Sequence, residues 1–205
     1  MKIESCVFDF GGVMSPALYP DLVKKITDGL GLDWNGIVRG FVKYRRIMDG
    51  DLMTLAEMYE RTFRDMGVAL PDNVLRQIYE ADSASFFSRN EETLEWMRSL
   101  KSVGYSIGIL TNMNSPFANN HFRRIFADFI ELADAVVVSG EEHLYKPMRE
   151  IYDVAAKRLG VEPAKICFFD DVEENCEGAR NAGWKAVRFD TVENTKKHFA
   201  EMLGK

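Results

Sequence analysis

The strongest constraint on the fold is an alternation of apolar, strand-like runs with helical segments from Asn90 onward. Runs rich in β-branched and aromatic residues predict four strands, at 105–110, 135–138, 166–169 and 185–189. Helical spacing of apolar residues predicts the connecting segments, at 91–102, 116–126, 148–159 and 172–182, and one more helix after the last strand. Such alternation favours right-handed crossovers and a parallel sheet with helices on both faces.

One more strand is predicted near the N-terminus, where an apolar run begins at Ile3 and stops before Asp9. Gly11 and Gly12 follow, and two glycines let the backbone turn tightly and approach a ligand closely. We therefore predict an α/β fold with a doubly wound, Rossmann-like parallel sheet of order 3-2-1-4-5. Ligands bind beyond the carboxyl ends of the strands in such sheets, so Asp9 is a candidate nucleophile or metal ligand. An ordinary turn aspartate is the alternative.

The segment between the first strand and Asn90 shows only helical periodicity. Thr54 and Glu57 have the spacing of a capping box, which predicts the start of one of its four helices. So long a helical stretch exceeds a single crossover between strands. We expect two domains: a Rossmann-like catalytic core formed by residues 1–16 plus 89–205, and a four-helix insert at 17–88.

Composition narrows the class of protein. The net charge of −6 argues against nucleic acid as the main partner. No apolar run reaches the length of a membrane span, and the first strand follows Met1 almost directly, so we expect a cytoplasmic protein without a signal peptide. The three cysteines lack the spacing of a zinc site or a disulfide framework, and Cys6 and Cys167 are predicted to be buried in strands.

Polar residues cluster at the predicted strand ends. They are Asp9, Thr111-Asn112 and Asp170-Asp171, with Lys146 in the loop after the third strand. Strands 1 and 4 flank the point where the strand order reverses, so Asp9 should lie beside the Asp170-Asp171 pair. Three carboxylates at one place repel one another unless a cation joins them, and Mg²⁺ prefers oxygen ligands. The pattern predicts a metal-assisted phosphoryl site with Asp9 as candidate nucleophile.

Each of these residues also has a structural explanation. Asp171 is a plausible helix N-cap, Lys146 a solvated lysine, and Thr111-Asn112 a turn pair.

Taken together and in order, the motifs resemble those of the haloacid dehalogenase-like (HAD) hydrolase superfamily, and among them the phosphatases with a helical cap inserted after the first strand. Asp9 lies in the nucleophile motif FDFGGV and Thr111 in the second motif, ILTN. Lys146 lies in the third motif, YKP. The fourth motif, FFDDVEEN, holds Asp170, Asp171 and Asn175.

The resemblance implies a role for each motif. Asp9 would attack phosphorus to form an aspartyl-phosphate, and Lys146 would offset the negative charge. Mg²⁺ would be held by Asp9, the backbone carbonyl of Gly11 and Asp171. Asp170 and Asn175 would support the metal site without binding the metal themselves, either through contacts with its ligands or through water. The phosphate would be bound by Gly11, Gly12, Thr111, Asn112 and Lys146. The catalytic residues would be Asp9, Thr111 and Lys146, and the cap at 17–88 would exclude water.

The resemblance also implies a substrate class. We expect a magnesium-dependent phosphomonoesterase of small phosphorylated metabolites, such as sugar phosphates, working as a monomer or homodimer without nucleic-acid or membrane partners.

One position departs from the family pattern. Most family phosphatases carry a second aspartate two residues after the nucleophile, acting as general acid, and here that position is Gly11. Three explanations stay open: leaving groups that need little protonation, a proton from a cap residue or a substrate hydroxyl, or slow turnover by a phosphate-binding protein. A 2-haloacid dehalogenase is a further alternative, although that branch usually has a bulky hydroxylated residue at this position and a serine-rich fourth motif.

Other residues could contribute to the substrate site. Tyr44, Arg45 and Arg46 lie on a predicted cap helix and could reach the substrate, or form a solvated cationic face. Met14, Ser15 and Tyr19 follow the nucleophile loop and could line the cap interface.

Overall fold

A parallel sheet forms the centre of the protein, whose computed structural model describes residues 2–16 and 20–204. The sheet consists of β1 (Ser5–Phe8), β2 (Ser106–Thr111), β3 (Ala135–Val138), β4 (Ile166–Asp170) and β5 (Lys185–Arg188). Their order is β3-β2-β1-β4-β5 with every neighbouring pair parallel, which confirms the predicted doubly wound α/β fold and its strand order.

The register of the sheet places the site residues at one edge. Phe8, the last residue of β1, lies opposite Ile109 of β2 and Phe169 of β4, so these three strands end within two residues of one another. Successive side chains alternate between the two faces of the sheet: Phe8 and Phe169 belong to one hydrophobic cluster, and Val7 and Phe168 to the other. Because both faces are covered, the strands contain few polar residues until the point where they end.

Four helices follow β1 in the chain and precede the helix that leads into β2. They are α1 (Asp21–Gly29), α2 (Trp34–Asp49), α3 (Leu55–Asp65) and α4 (Asp72–Ala84), together called the helical insert. The insert has its own hydrophobic cluster, which includes Ile37, Met48 and Tyr59. The capping box of Thr54 and Glu57 is present as predicted. The domain boundaries at 16/17 and 88/89 stay a prediction, because Ala17 to Tyr19 lie outside the described residues.

The remaining helices pack against the sheet or join its strands. They are α5 (Glu91–Ser102), α6 (Ser115–Phe117), α7 (Arg123–Ile125), α8 (Ala127–Leu132), α9 (Ser139–Glu142), α10 (Arg149–Leu159), α11 (Glu173–Asn181) and α12 (Val192–Met202). None of the helices in the described part of the chain is long and apolar enough to cross a membrane.

The structure corrects the sequence prediction between β2 and β3. The single helix predicted at 116–126 is instead α6, a π-helical turn at Ala118–Phe122 and α7, and α8 follows without having been predicted. The backbone of Phe126 leaves the helical region, with φ −111° and ψ 29°, which separates α7 from α8. The predicted polar loop after β3 also contains the short helix α9.

Candidate active site

Three carboxylates meet at the ends of β1 and β4. Asp9 directly follows β1, Asp170 is the last residue of β4, and Asp171 comes next. The Asp9 backbone N–H donates to the Phe169 carbonyl at 3.0 Å, which fixes the two chain ends side by side. One carboxylate oxygen from each of the three aspartates lies within 4.8 Å of the others. The sheet therefore brings together the residues that the sequence predicted to share a site.

Lys146 neutralises part of this charge. Its side chain is fully buried, and Nζ lies 2.7 Å from Asp9 Oδ1 and 2.6 Å from Asp170 Oδ2. Nζ also donates to the Leu110 carbonyl at 3.2 Å, so all three ammonium protons have partners. The alternative of a solvated surface lysine is excluded by this burial.

Asn112 holds the backbone of Lys146 in place. The Asn112 side-chain amide donates to the Lys146 carbonyl at 3.0 Å and accepts from the Lys146 N–H at 2.8 Å. Both ends of the amide are thus engaged by the backbone of one residue, and the Asn112 side chain positions Lys146. Its predicted contact with phosphate stays a prediction.

Asp170 is surrounded by donors and lies behind the other two carboxylates. Its oxygens accept from the Val172 N–H at 2.8 Å and twice from Asn175 Nδ2 at 3.1 Å, in addition to the ion pair with Lys146. The predicted supporting role of Asp170 and Asn175 fits these contacts. Asn175 Oδ1 is buried without a hydrogen-bond partner among the residues that the structure describes.

The electrostatics of the group favour a bound cation. Burial raises the pKa of Asp9 well above its usual range, the charge of Asp170 raises it further, and Lys146 opposes both. Burial and Asp170 likewise raise the pKa of Asp171 to about 6. Burial acts to lower the pKa of Lys146, but the charges of Asp170 and Asp9 outweigh it and hold the pKa above its ordinary value. One ammonium thus faces three carboxylates.

A hard divalent cation fits this donor set. The available ligands are carboxylate oxygens, and within the described part of the chain the buried Asn175 Oδ1 has no hydrogen-bond partner. Oxygen ligands of this kind suit Mg²⁺, and a cation would relieve the repulsion that raises the carboxylate pKa values.

A cavity of about 240 Å³ opens onto Asp9 between the sheet edge and the helical insert. From the core it is lined by Asp9, Gly11, Asn112, Lys146, Asp171 and Asn175, among others. From the insert and the segment that follows it come Arg45, Arg46, Asp49 and Phe86. The sequence had pointed to Arg45 and Arg46 but not to Asp49. The Arg45–Asp49 spacing of four residues on one helix was the available signal.

Several predicted residues lie away from this lining. Thr111 is buried at the end of β2, and Gly12, with φ +71°, forms the turn after Asp9; neither is among the cavity residues. Tyr44 donates its hydroxyl proton to Asp65 at 2.8 Å instead of facing the cavity.

The segment after the nucleophile turn is only partly described. Met14 and Ser15 are buried, and the Met14 carbonyl accepts from the Asn90 N–H. Tyr19 lies outside the described residues.

Comparison with known proteins decides the family. The sequence model of the haloacid dehalogenase-like hydrolases matches residues 3–183. The chain belongs to this family. Phosphatase MT3486 of Mycobacterium tuberculosis (strain CDC 1551 / Oshkosh) is 30% identical over 210 residues, covering 96% of this chain and 91% of that protein. This hydrolase family, with phosphatase relatives, is what the four sequence motifs predicted.

Other relatives show the range of chemistry on this fold. The phosphorylated carbohydrates phosphatase of Thermotoga maritima is 25% identical over 90% of this chain and 84% of its own length. The (S)-2-haloacid dehalogenase 4A of Burkholderia cepacia is 30% identical, but over only 50% of this chain and 44% of that protein. HAD family enzyme bt-2542 of Bacteroides thetaiotaomicron, in complex with magnesium and inorganic phosphate, shares the fold with a TM-score of 0.62 at 23% identity, covering 91% and 93% of the two chains.

Proposed function

We propose that this hydrolase is a magnesium-dependent phosphomonoesterase of small phosphorylated metabolites that reacts through an aspartyl-phosphate on Asp9. The observation that carries the proposal is the position of Asp9, which lies on the cavity with its Oδ1 only 2.7 Å from the buried Lys146 Nζ and beside Asp170 and Asp171. A carboxylate nucleophile with an adjacent ammonium and a cation-binding partner can take up and release a phosphoryl group.

The residues divide the work according to their contacts. Asp9 attacks phosphorus, and the bond between phosphorus and the leaving oxygen breaks. Lys146 stays protonated beside Asp9 and offsets charge on the attacking carboxylate and on the phosphoryl oxygens. Asn112 keeps Lys146 in this position through its backbone. Thr111 and the turn of Gly11 and Gly12 complete the proposed phosphate site.

Mg²⁺ would be held by Asp9, the Gly11 carbonyl and Asp171. The Asp170 carboxylate already pairs with Lys146 and accepts hydrogen bonds from Asn175. It would therefore orient the neighbouring site residues without binding the cation. When bound, the cation would neutralise negative charge on the phosphoryl oxygens and shield Asp9 from the other carboxylates.

The cavity lining supports the proposed substrate class. A cavity of about 240 Å³ admits a small molecule, and its insert side offers charged and hydrogen-bonding groups from Arg45, Arg46 and Asp49. Such a wall suits a hydroxylated leaving group, and a relative that carries the name phosphorylated carbohydrates phosphatase supports sugar phosphates. The helical insert would act as the cap that excludes water during attack.

The test is a phosphate-release assay over a panel of sugar and polyol phosphates, with and without Mg²⁺. The wild type is compared with Asp9→Asn and with Asp153→Asn, an exposed aspartate on α10 that serves as control. We expect wild type and control to release phosphate only with Mg²⁺, and Asp9→Asn to be inactive. Activity in Asp9→Asn equal to that of the wild type would overturn the covalent mechanism.

A dehalogenase is the second candidate, because a haloacid dehalogenase is among the relatives. That chemistry uses the same aspartate on carbon and needs no metal. Chloride release from 2-chloropropionate in the presence of chelator would identify it, and we expect none, since the acidic group of Asp9, Asp170 and Asp171 favours a metal-dependent site.

A further inference from the structure

We propose that Asp49, the last residue of α2, donates the proton to the leaving-group oxygen. It would thus take the role of the aspartate that most family phosphatases carry at the position of Gly11. This inference rests on the proposed phosphatase function and names the residue that completes it. Gly11 lines the cavity but has no side chain with which to move a proton.

Among the carboxyl groups that line the cavity, one has no other role assigned to it. Of the described residues that line it, only Asp9, Asp49 and Asp171 carry a carboxyl group. Asp9 is the nucleophile and Asp171 belongs to the cation site. Asp49 lines the same cavity as Asp9 but belongs to the helical insert, and we assign the leaving group to the insert side because Asp9 attacks from the end of β1.

The Asp49 carboxyl has only a partial ion-pair partner. Arg45 pairs with two carboxylates, and its contacts with Asp82 are the shorter ones. Arg45 Nη1 lies 2.9 and 3.2 Å from the two carboxylate oxygens of Asp82. The Tyr59 hydroxyl also donates to Asp82, at 2.7 Å. Asp49 Oδ1 lies 3.3 Å from Arg45 Nε. A single guanidinium therefore faces two buried carboxylates, and the weaker contact is that of Asp49.

Burial raises the pKa of Asp49 to about 7; Arg45 and Lys146 act to lower it, and Asp82 to raise it. Asp49 also ends α2, where the helix dipole disfavours negative charge. A carboxyl group whose pKa lies near the working pH can both give and take a proton. The titratable and charged groups around it are Arg45 and Arg46 on α2, Tyr59 on α3, Asp82 on α4, and His143 and Lys146 after β3.

The backbone around Asp49 is fixed to the core. Ser139 Oγ donates to the Asp49 carbonyl at 2.6 Å, and the Ser115 N–H donates to Asp51 Oδ1 at 3.0 Å. These contacts join the end of α2 to segments that follow β2 and β3. The backbone of Asp49 is therefore attached to the core although the residue belongs to the insert.

The proposed reaction has two chemical steps, attack by Asp9 and attack by water. A bond forms between an Asp9 oxygen and phosphorus, and the bond between phosphorus and the leaving oxygen breaks. The electron pair stays on that oxygen, which takes the proton of Asp49 and departs as an alcohol. Water then attacks the aspartyl-phosphate and gives a proton back to Asp49. The bond between phosphorus and Asp9 breaks, its electron pair returns to the Asp9 carboxylate, and phosphate leaves.

The experiment compares Asp49→Asn with wild type on glycerol 2-phosphate, whose alkoxide is a poor leaving group, and on p-nitrophenyl phosphate, whose phenolate needs little protonation. We expect kcat on glycerol 2-phosphate to fall by about 10²–10⁴-fold and kcat on p-nitrophenyl phosphate by less than about tenfold. Wild-type kcat on glycerol 2-phosphate should also decline above the pKa of Asp49, and Asp49→Asn should lack this decline. Asp65→Asn, an exposed carboxylate of the same insert, is the control.

A rescue distinguishes proton transfer from a structural role. Gly11 is not among the glycines with positive φ, so its backbone is outside the left-handed region that strains other residues. The double variant Asp49→Asn, Gly11→Asp restores an acid at the usual position of the family and should recover most of the turnover of glycerol 2-phosphate. A purely structural role of Asp49 predicts no such rescue.

The outcomes separate the two proposals. If the wild type hydrolyses neither these two esters nor any compound of the sugar and polyol phosphate panel, the phosphatase proposal fails. If Asp9→Asn is as active as the wild type, the covalent mechanism on Asp9 fails. If the wild type is active and Asp9→Asn is not, but Asp49→Asn changes both substrates equally or neither, the role of Asp49 is overturned.

Discussion

Lys146 joins two buried carboxylates, so its removal should reveal how strongly the site depends on charge balance. In Lys146→Met, Asp9 and Asp170 lose their shared cation and remain buried. Breaking a buried ion pair by removing one partner typically costs about 3–5 kcal/mol. We expect a loss of that order in the free energy of unfolding without Mg²⁺, measured with urea, together with loss of phosphate release.

The matched control is Lys165→Met. Lys165 pairs with Glu4 at 2.9 Å, but both side chains are more than a third exposed, at 36% and 48%. Exposed pairs contribute about 0–1 kcal/mol. Equal destabilisation by the two substitutions would contradict the buried network around Lys146.

Asp49 should make the stability of the protein depend on pH. Its pKa is about 7 in the folded protein against an ordinary value of 3.8, so the folded state binds more protons than the unfolded state between these values. The free energy of unfolding therefore falls as pH rises through this window. Asp49→Asn has no titrating group at this position, so its free energy of unfolding should not show this fall. Relative to the wild type, the variant should therefore become more stable between pH 5 and pH 8 by a few kcal/mol, because each unit of pKa difference corresponds to about 1.4 kcal/mol.

Urea unfolding of both proteins at the two pH values measures this difference. A difference between Asp49→Asn and wild type that stays the same at pH 5 and pH 8 would show that Asp49 titrates alike in the folded and unfolded chains.

At the scale of residues, the sequence predicted those site residues that follow strands in the chain. Asp9 and the Asp170-Asp171 pair come directly after apolar runs, and parallel strands bring such positions to one edge. Asp49 and the cavity residues Asn114 and Phe117 were missed. Asp49 is on the insert and the other two follow β2, so their meeting in one cavity depends on how the insert packs on the core, which depends on side-chain shape and not on periodicity.

At the scale of elements, α2 and α3 approach each other closely at Gly40. A Cβ at Gly40 would lie 2.2 Å from Thr62 Oγ1 and 2.3 Å from Thr62 Cγ2. Thr62 is buried and β-branched, and its hydroxyl donates to the Met58 carbonyl, so it has little room to move. We expect Gly40→Ala to lower the free energy of unfolding by about 1–3 kcal/mol, as overpacking does.

Gly29→Ala is the control for that substitution. Gly29 lies in α1, and a Cβ there meets nothing within 4 Å. Alanine in a helix is favoured over glycine by roughly 0.5–1 kcal/mol, so this variant should be as stable as wild type or more so. If Gly40→Ala were equally well tolerated in urea unfolding, the close contact of α2 with α3 would be contradicted.

The elements themselves were predicted well where the pattern was long. The bounds of α5 (Glu91–Ser102) and β3 (Ala135–Val138) agree with the prediction residue for residue. The failures lie between β2 and β3, where α6, α7 and α8 each have six residues or fewer. Segments this short span less than two helical turns and carry no usable periodicity. Packing of Phe122, Phe126 and Phe129 into the core determines their shape.

At the scale of the whole molecule, the cation site should link ligand binding to folding. The carboxylates of Asp9 and Asp171 meet only when β1 and β4 are paired, so the unfolded chain has no such site. A ligand that binds only the folded state stabilises it, by about 2.7 kcal/mol at a concentration one hundred times its Kd. For a protein of this size, each kcal/mol raises Tm by about 2–4 °C.

We therefore expect MgCl₂ to raise the Tm of the wild type by about 5–10 °C at such a concentration, and to leave the Tm of Asp171→Asn nearly unchanged. Asp190→Asn, an exposed aspartate before α12, should respond as the wild type does. NaCl at equal ionic strength separates specific binding from screening. Because thermal unfolding requires no turnover, the measurement tests the metal site independently of substrate, and an equal rise in Asp171→Asn would remove Asp171 from that site.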